Sequence, residues 1–506
     1  MKIKKWCKEH LNTVTFIMLC MFSAIVYAQF ISGHYATDTY NIWQVGYDKY
    51  IKNWYLTDGR IFSATFLFII KNLKISIEAA NTISMLLAIV ISNIAVMQIV
   101  KWTQKYVNIK NLKSQIFLVL ICYTIIWNFM YVENMCFLES SVMALSVLCY
   151  TLSAIVLVER KKNSFLKSLL FAILGIVSYQ GTVGFMFILT AVLTFIKNPR
   201  DYKRNAIDVI ISGIIAGIAV GVDLCVIKIA ENVFGTTQTR LSNFSQIFAN
   251  IEFILLNIIY ILEATCNLYP QYLFIIFTIV TFGIAIVNQI KNYNGTIKKK
   301  EKESVIFCLL FLIIFAICSS SVTYAISLTG FWAGRLRFAM GSLLGVLYLY
   351  IYTQTDLFNN IDKKFLANIL QIVFIVYFLS TLFFNVFIMS EHKKVNKLEQ
   401  AECDKILEYV EQYEKNNNIV VSKIQIVTIE GETEKGYYQE TINKNVLTYN
   451  AVRANWSAVG CINFYFPHRL IEKTDEIPQE ILNEIISSNG DEICIDDTLY
   501  VKCYMY

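Results

Sequence analysis

Charged residues are scarce in this chain of 506 residues, making up 16% of it, while 56% are hydrophobic and the mean hydropathy is +0.51. A soluble domain of this length has too small a core to bury so much apolar surface. Proline is also rare, with four in the whole chain, and no long low-complexity linker occurs. The composition therefore excludes an ordinary soluble protein and indicates an integral membrane protein.

The short motifs of many soluble enzymes are missing as well. The sequence contains no Walker loop, no GxGxxG after a strand, no HExxH and no GxSxG. Thirteen cysteines occur without a CxxC or a Cys/His cluster at metal-ligand spacing. These absences argue against ATPases, dinucleotide enzymes, zinc proteases and serine hydrolases, and nothing in the sequence indicates nucleic-acid binding.

Long apolar runs dominate what is present, and they predict about eleven transmembrane helices plus interfacial or re-entrant helices at IFSATFLFII and FANIEFILLNIIYILEA. The first run follows several lysines, as in a signal peptide. It is too long for one and no clear cleavage site follows, so we interpret it as an uncleaved first span. The predicted spans lie near residues 14–31, 79–100, 115–132, 136–158, 165–179, 182–196, 206–230, 271–290, 304–322, 337–353 and 365–389.

The distribution of Lys and Arg predicts the orientation of these spans. With the N-terminus in the cytoplasm, the six cytoplasmic pieces carry 22 basic residues and the opposite loops carry eight. An odd number of spans then puts both the loop after the first span and the C-terminal tail outside the cytoplasm.

From about Glu391 the sequence changes character. An amphipathic helical pattern is followed by the strand-like IVVSKIQIVTIE, the helix-like PQEILNEIISSNG, and two further strand candidates, EICI and TLYVKCYMY. We therefore predict a membrane domain over residues 1–390 and a small extracytoplasmic α/β domain over residues 391–506. A hairpin turn at Asp496 and Asp497 would not place Cys494 opposite Cys503, and no disulfide is predicted.

The loop after the first span contains three aspartates. Asp38 lies a few residues beyond the membrane exit, where partial desolvation suits a carboxylate to act as a general base, although a hydrated loop aspartate is the alternative. Asp58 opens a turn signal with Gly59 and Arg60, which predicts Asp58 near a helix N-cap and Arg60 in the first helical turn. Asp48 is interpreted as a solvated residue on a helix face.

Acidic residues within or at the edge of spans are costly and are functional candidates by default. Glu133 and Glu139 lie at the outer ends of two predicted spans, where a structural role and a ligand-contacting role are equally open. Asp223 lies in the outer half of a later span. We interpret it as structural and expect it to pair with Lys228.

Two further outer segments carry polar residues. The stretch GIVSYQGTVGFMF joins two short spans with Tyr179 and Gln180 at its apex, and such reversals are tolerated where backbone groups face protein or a wet cavity. The stretch GFWAGRLRFAMG sets Arg335 and Arg337 beside the outer membrane face. Arginines there suit phosphate oxygens, and snorkelling to the interface is the alternative.

Taken in order, the loop aspartate, the DGR entry to a short helix, SYQG between two short spans and the late GR-R segment resemble the GtrII family of bacterial glucosyltransferases, which are membrane enzymes of the GT-C type. The resemblance extends from about Asp38 to Ile388. It implies an all-α polytopic fold of GT-C type, apart from the small tail domain. It also implies transfer of a glucosyl or other hexosyl unit from a polyprenyl-phosphate donor to a cell-surface glycan on the outer face of the membrane, with inversion.

The same resemblance implies roles for individual residues. A base takes the acceptor proton, cations hold the donor phosphate, and polar groups position the sugar and acceptor hydroxyls. Some GT-C enzymes use a divalent metal and others do not, so no metal or other cofactor is predicted. The roles fall on Asp38 as base with Asp58 in reserve, on Arg335, Arg337 and Arg60 for phosphate, and on Glu133, Tyr179, Gln180 and His34 for sugar or acceptor.

Three other interpretations of the function stay open. A transporter or lipid-sugar flippase would show internal repeats and ionisable groups near the bilayer midplane, and neither is visible. A polysaccharide polymerase or ligase shares the many spans but usually carries its large outer loop late in the chain. A sensor centred on the tail would lose its function on truncation after Glu391, whereas an enzyme centred on Asp38 is expected to keep its fold and some chemistry.

Overall fold

Helices make up most of the computed structural model, and seven of them, among the described residues, are long and apolar enough to cross a membrane. They lie at Ile77–Thr103, Ser140–Glu159, Gln180–Lys197, Tyr202–Phe234, Val305–Ala325, Gly334–Gln354 and Phe365–Asn417. The prediction of a helical membrane protein is confirmed. The structure describes residues 11–31, 33–107, 109, 112–199, 201–235, 244–257, 269–291, 299–326, 333–354, 364–429, 450–488 and 490–504.

Shorter apolar helices occupy the other four predicted spans, at Leu11–Val26, Leu112–Ile126, Ser164–Ile176 and Tyr272–Val287. Every predicted span is thus helical, while the number that cross the membrane, eleven, stays a prediction. The α-helices are α1 Leu11–Val26, α2 Ala28–Ile31, α3 Thr37–Val45, α4 Tyr47–Tyr50, α5 Ile61–Asn72, α6 Ile77–Thr103, α7 Leu112–Ile126, α8 Tyr131–Asn134, α9 Ser140–Glu159, α10 Ser164–Ile176, α11 Val183–Lys197, α12 Tyr202–Phe234, α13 Phe244–Leu256, α14 Gln271–Lys291, α15 Lys299–Ile326, α16 Phe338–Gly341, α17 Leu343–Gln354, α18 Lys364–Asn417, α19 Ala458–Tyr465 and α20 Gln479–Ser487.

The two apolar pieces that were predicted to be interfacial or re-entrant differ in outcome. IFSATFLFII forms the short helix α5, which is too short to span a bilayer. The first part of FANIEFILLNIIYILEA forms α13, and the rest of that segment lies outside the described residues.

The span predicted near residues 115–132 ends early, because the chain turns after α7 and forms the four-residue helix α8 before α9 begins. Asn128 stabilises this turn: its Oδ1 accepts from the backbone N–H of Met130 at 3.0 Å, and its Nδ2 donates to Ser342 Oγ at 3.2 Å. Buried backbone groups in a broken membrane helix need such partners. The turn brings Glu133 and Glu139 to the end of the helical bundle.

The helix α18 has 54 residues and passes through the predicted domain boundary at 390 and 391 without a break. At 1.5 Å per residue it is about 80 Å long. Its first part is the last predicted span, and its second part is the amphipathic helix predicted for the tail. The tail is therefore connected to the membrane part by a continuous helix.

The tail contains a four-stranded sheet, in the order β2-β1-β4-β3. The strands β1 and β4 are parallel, β1 and β2 are parallel, and β3 and β4 form an antiparallel hairpin in which Cys494 lies opposite Leu499. The predicted strands, the predicted helix α20 and the offset of Cys494 from Cys503 are confirmed, whereas α19 and β2 were not predicted. The strands are β1 Lys423–Ile429, β2 Ile471–Glu472, β3 Glu492–Ile495 and β4 Thr498–Tyr504.

A buried arginine, Arg453, joins the tail sheet to α18. Its Nε lies 2.6 Å from Glu402 on α18, and its guanidinium donates to Glu492 at 3.1 Å and to the Lys502 carbonyl at 3.3 Å. Taking such a pair out of water is costly unless both charges are satisfied, and here several acceptors satisfy the guanidinium.

Three of the loops predicted to be cytoplasmic, around Lys105, Arg160 and Lys197, meet at one end of the bundle. Lys105 pairs with Glu159 at 3.0 Å, Arg160 pairs with Asp208 at 2.6 Å, and Lys197 donates to the carbonyl of Val158 at 2.7 Å. Helices α6, α9 and α11 run from this end towards the opposite end, which carries the loop after α2.

We predict that Arg453→Met lowers the unfolding free energy of the tail by about 1–3 kcal/mol, because it leaves the half-buried carboxylates of Glu402 and Glu492 without their counter-charge and hydrogen-bond donor. Urea unfolding of the purified protein, followed by protease resistance of the tail, measures this. Lys423→Met is the matched control, since the pair of Lys423 with Asp497 is solvent-exposed and contributes little. Equal loss of stability in the two variants would contradict the prediction.

Candidate functional site

The end of the bundle that carries the loop after α2 contains a group of interacting charged and polar side chains, which we call the charged cluster. It is built from α3, the turn before α5, the turn around α8, the reversal between α10 and α11, the middle of α12 and the 3-10 turn Gly334–Arg337. Its members are Asp38, Asp58, Arg60, Glu133, Glu139, Tyr179, Gln180, Asp223 and Arg335.

The strongest contact in the charged cluster joins Arg335 to Glu133. The backbone N–H of Arg335 donates to Glu133 Oε2 at 2.7 Å, and its guanidinium donates to Glu133 Oε1. The guanidinium also lies over the ring of Phe137, at 4.6 Å from the ring centre. Glu133 is buried and Arg335 is half-buried, so the pair has one face towards the protein interior and one side within reach of solvent.

A second arginine, Arg60, is held by two acidic groups at longer range. It lies 3.7 Å from Asp58 and 3.8 Å from Glu139, and its guanidinium is 5.2 Å from the centre of the Tyr179 ring. Burial lowers the pKa of Arg60, but Asp58, Tyr179 and Glu139 more than offset this and raise it overall. Its buried Nε has no hydrogen-bond partner among the described residues.

Asp38 lies in the first turn of α3 and is half-buried. Its carboxylate acts electrostatically on Arg335 and on Glu139, so it belongs to the same charged cluster. Among the described residues it has no side-chain hydrogen bond or ion pair, unlike the other carboxylates of the charged cluster. Asp38 is therefore the carboxylate of this group that is free to accept a proton or a hydrogen bond from a ligand.

Gln180 links the reversal between α10 and α11 to two other elements. Its Nε2 donates to the backbone carbonyl of Asp58 and to Asp223 Oδ2, the latter at 3.1 Å. Asp223 also packs against the turn before α5. In this turn Gly59 has φ +76°, and a Cβ at Gly59 would overlap the Asp223 carboxylate. Gln180 and Asp223 thus hold the turn that carries Asp58 and Arg60.

The expected pair of Asp223 with Lys228 is wrong. Lys228 pairs with Glu231 at 3.1 Å, one helical turn further on. Residues five apart on a helix are rotated by about 140° from each other, so they do not share a face. A signal in the sequence did point to the correct interpretation: Asp223 continues the inward stripe of α12, whose other buried members include Ser212, Ala216, Ala219 and Ile227.

The expected N-cap role of Asp58 is also wrong. The helix α5 begins at Ile61, and Arg60 occupies the N-cap position without a side-chain cap. Asp58 lies two residues earlier, in a turn in which its backbone N–H donates to the carbonyl of Trp54. Arg60 therefore precedes α5, and its side chain turns back to Asp58 and Glu139.

Two of the candidate residues, Arg337 and His34, are buried and are not members of the charged cluster. Arg337 is buried, and in a 3-10 turn residues two apart are rotated by about 240°, so Arg337 does not extend in the direction of Arg335. His34 is fully buried and stacks on Phe30, with its Nε2 at 3.1 Å from the carbonyl of Cys136. Burial lowers the pKa of His34 to about 3, and a neutral core histidine is the result.

The charged cluster as defined contains five carboxyl groups and two guanidinium groups, and four of its nine members are buried. No group of three or more His, Cys, Asp or Glu side chains in the described ranges has an arrangement that fits a metal ion. Chemically, the arrangement provides one unpaired carboxylate, two cations with a half-exposed side, and amide and phenol groups beside them. Sequence reasoning found Glu139 but did not assign it to a site, and it interpreted Asp223 as structural but expected the wrong partner for it.

No protein-family model matches the chain, and no curated protein matches it in sequence.

We predict that Gly59→Ala destabilises the protein more than Gly235→Ala does. Both glycines have positive φ, which costs a residue with a side chain about 1–2 kcal/mol. At Gly235 a Cβ meets no atom within 4 Å, whereas at Gly59 it overlaps Asp223, so only Gly59→Ala also displaces the turn. Thermal unfolding in detergent compares the two variants, and equal midpoints would contradict this account of the turn.

Proposed function

We propose that this protein is a membrane glycosyltransferase that transfers a glucosyl or related hexosyl unit from a polyprenyl-phosphate donor to a cell-surface glycan. The observation that carries the proposal is the presence of Asp38, half-buried and without a described side-chain partner, in the same charged cluster as Arg335. These residues lie almost 300 positions apart in the sequence. The resemblance to GtrII enzymes of the GT-C type supplies the substrate classes.

In the proposed reaction, Asp38 accepts the proton of the acceptor hydroxyl. The oxygen of that hydroxyl at the same time forms a bond to the anomeric carbon of the donor sugar. The bond from that carbon to the phosphate oxygen breaks on the opposite face, which inverts the anomeric centre and releases polyprenyl phosphate. A general base typically accelerates such a step by about 10²–10⁴-fold. No metal is invoked in this step.

The leaving phosphate gains negative charge, and preorganised cations stabilise it. Arg60 is the more available cation, because its ion pairs are long and its Nε is not engaged by a described residue. Arg335 is held by Glu133 through two hydrogen bonds and offers its half-exposed side. Glu133, Tyr179 and Gln180 lie beside these cations and are the proposed contacts to sugar hydroxyls, whereas the buried positions of His34 and Arg337 give no support to their proposed roles.

For the membrane orientation, we propose a cytoplasmic N-terminus with the charged cluster and the tail domain outside. The excess of basic residues in the loops around Lys105, Arg160 and Lys197 supports this, since these loops gather at the end opposite the charged cluster.

We predict that Asp38→Asn lowers sugar transfer by about 100-fold or more, because the amide cannot accept the acceptor proton. The assay supplies membranes containing the full chain with labelled polyprenyl-phosphate glucose and measures label in surface glycan. Asp48→Asn is the matched control, since Asp48 lies in the same loop, is 63% exposed and pairs with Lys71. Asp58→Asn tests the reserve base.

Full activity of Asp38→Asn would overturn the proposed mechanism, and loss of transfer in Asp58→Asn alone would move the base to Asp58. Movement of the labelled lipid between leaflets without covalent transfer of its sugar would instead favour a flippase.

We predict that a membrane-impermeant maleimide labels Asp48→Cys from outside intact cells and labels Lys162→Cys only after the cells are permeabilised. Both positions are exposed, and they lie at opposite ends of the bundle. The parent chain corrects for label on its native cysteines. The reverse labelling pattern would put the charged cluster in the cytoplasm and would rule out transfer at the outer face.

A further inference from the structure

The helix α3, which carries Asp38, packs directly against α19 of the C-terminal tail. The closest approach is at Gly460, where a Cβ would overlap the backbone carbonyl of Tyr40 and lie 3.1 Å from Gln44 Cβ. Since only glycine permits this distance between the two backbones, the packing of α19 determines how far α3 can move in this direction.

Side chains of the tail extend this contact along α3. The ring of Phe464 lies among those of Tyr35, Tyr40 and Trp43, with ring centres 5.2, 5.6 and 5.7 Å away. Asn463 Nδ2 donates to Gln44 Oε1 at 3.1 Å. Both ends of α3 therefore touch the tail.

The extension of α18 beyond the last span forms a second wall beside the start of α3. The side chain of Asn396 accepts from the N–H of Tyr35 at 2.9 Å and donates to its carbonyl at 2.8 Å. The Tyr40 hydroxyl donates to Glu399 at 3.3 Å, and Glu399 in turn accepts from the backbone N–H of Ala451 at 2.8 Å. Residues after 390 thus supply polar contacts on both sides of Asp38, in addition to the bond that Asn81 of the membrane part donates to the His34 carbonyl at 2.8 Å.

Ordinary packing between two domains is the simplest alternative, but two features of this interface go beyond it. The contacts involve backbone groups on both sides of Asp38, at Tyr35 and Tyr40, rather than surface side chains alone. Asp38 itself has no described side-chain partner that would fix its carboxylate, so its position follows from the position of α3.

We infer that the C-terminal domain is a positioning element for Asp38, and that Gly460 is a positioning residue for the proposed reaction. The inference rests on the proposed function for its catalytic consequence, while the mechanical coupling of α19 to α3 stands separately. Truncation after Glu391 removes this coupling together with the tail, so truncation does not separate an enzyme from a tail-centred sensor.

The test compares Gly460→Ala with Gly213→Ala in the full chain. Both are glycines within helices, and a Cβ at Gly213 meets no atom within 4 Å. In Gly460→Ala we expect faster amide hydrogen exchange over residues 37–45 and a transfer kcat lowered by roughly 10- to 100-fold, since a misplacement of about 1 Å costs that much. We expect the KM for the polyprenyl-phosphate donor to stay unchanged, because the described partners of Arg60, which are Asp58, Glu139 and Tyr179, all lie in the membrane part. Gly213→Ala should match the parent protein in all three measurements.

Unchanged exchange over residues 37–45 in a folded Gly460→Ala protein would overturn the inference, as would a rise in donor KM with kcat intact. If Gly460→Ala does not fold, Gln44→Ala decides in the same way, because it removes the hydrogen bond from Asn463 without altering the tail. Different results contradict the two proposals. Full activity of Asp38→Asn would contradict the role of Asp38 as base, whereas the hydrogen-exchange measurement tests the coupling of α19 to α3 regardless of activity.

Discussion

The bidentate contact of Arg335 with Glu133 is the interaction on which the arrangement of this end of the molecule depends. A carboxylate buried among apolar side chains is stable only with a counter-charge and hydrogen bonds, and Arg335 supplies both from its backbone and its guanidinium. The contact joins the short helix α8 to the 3-10 turn before α16, two segments separated by about 200 positions. Both α8 and the reversal at Gln180 pack against this 3-10 turn.

The remaining charges are arranged around this pair with an excess of acid. Arg60 forms ion pairs with Asp58 and Glu139, and Gln180 donates a hydrogen bond to Asp223, so most carboxylates of the charged cluster have a partner. Asp38 is the exception among the described residues, and it lies where the membrane part meets the tail. A carboxylate without a described partner that interacts electrostatically with Arg335 suits a reaction in which a proton leaves an acceptor while a phosphate leaves a sugar. The same position makes Asp38 dependent on the tail, since α3 is held by α18 and α19.

Sequence reasoning succeeded where local pattern decides structure. Apolar runs located the helices, alternation located β1, β3 and β4, and the turn at Asp496 gave the correct offset of Cys494 from Cys503. It failed where a partner lies far away in the chain. Asp223 was assigned to Lys228, a near neighbour in sequence, although its actual partner is Gln180. The segment around Ala458 carried no clear periodic signal, so α19, which packs against α3, was missed.

The sequence by itself determined that this is a helical membrane protein with a small α/β tail, because hydropathy and side-chain periodicity act over one or two turns of chain. It also singled out Asp38, Arg60, Glu133, Gln180 and Arg335, since polar groups at the ends of membrane helices are costly and stand out. Only the tertiary structure decided that these residues form one group and that Arg337 and His34 are buried. The reason is that each such contact joins segments tens to hundreds of residues apart, and the burial that makes a charge need its partner exists only once the helices have packed.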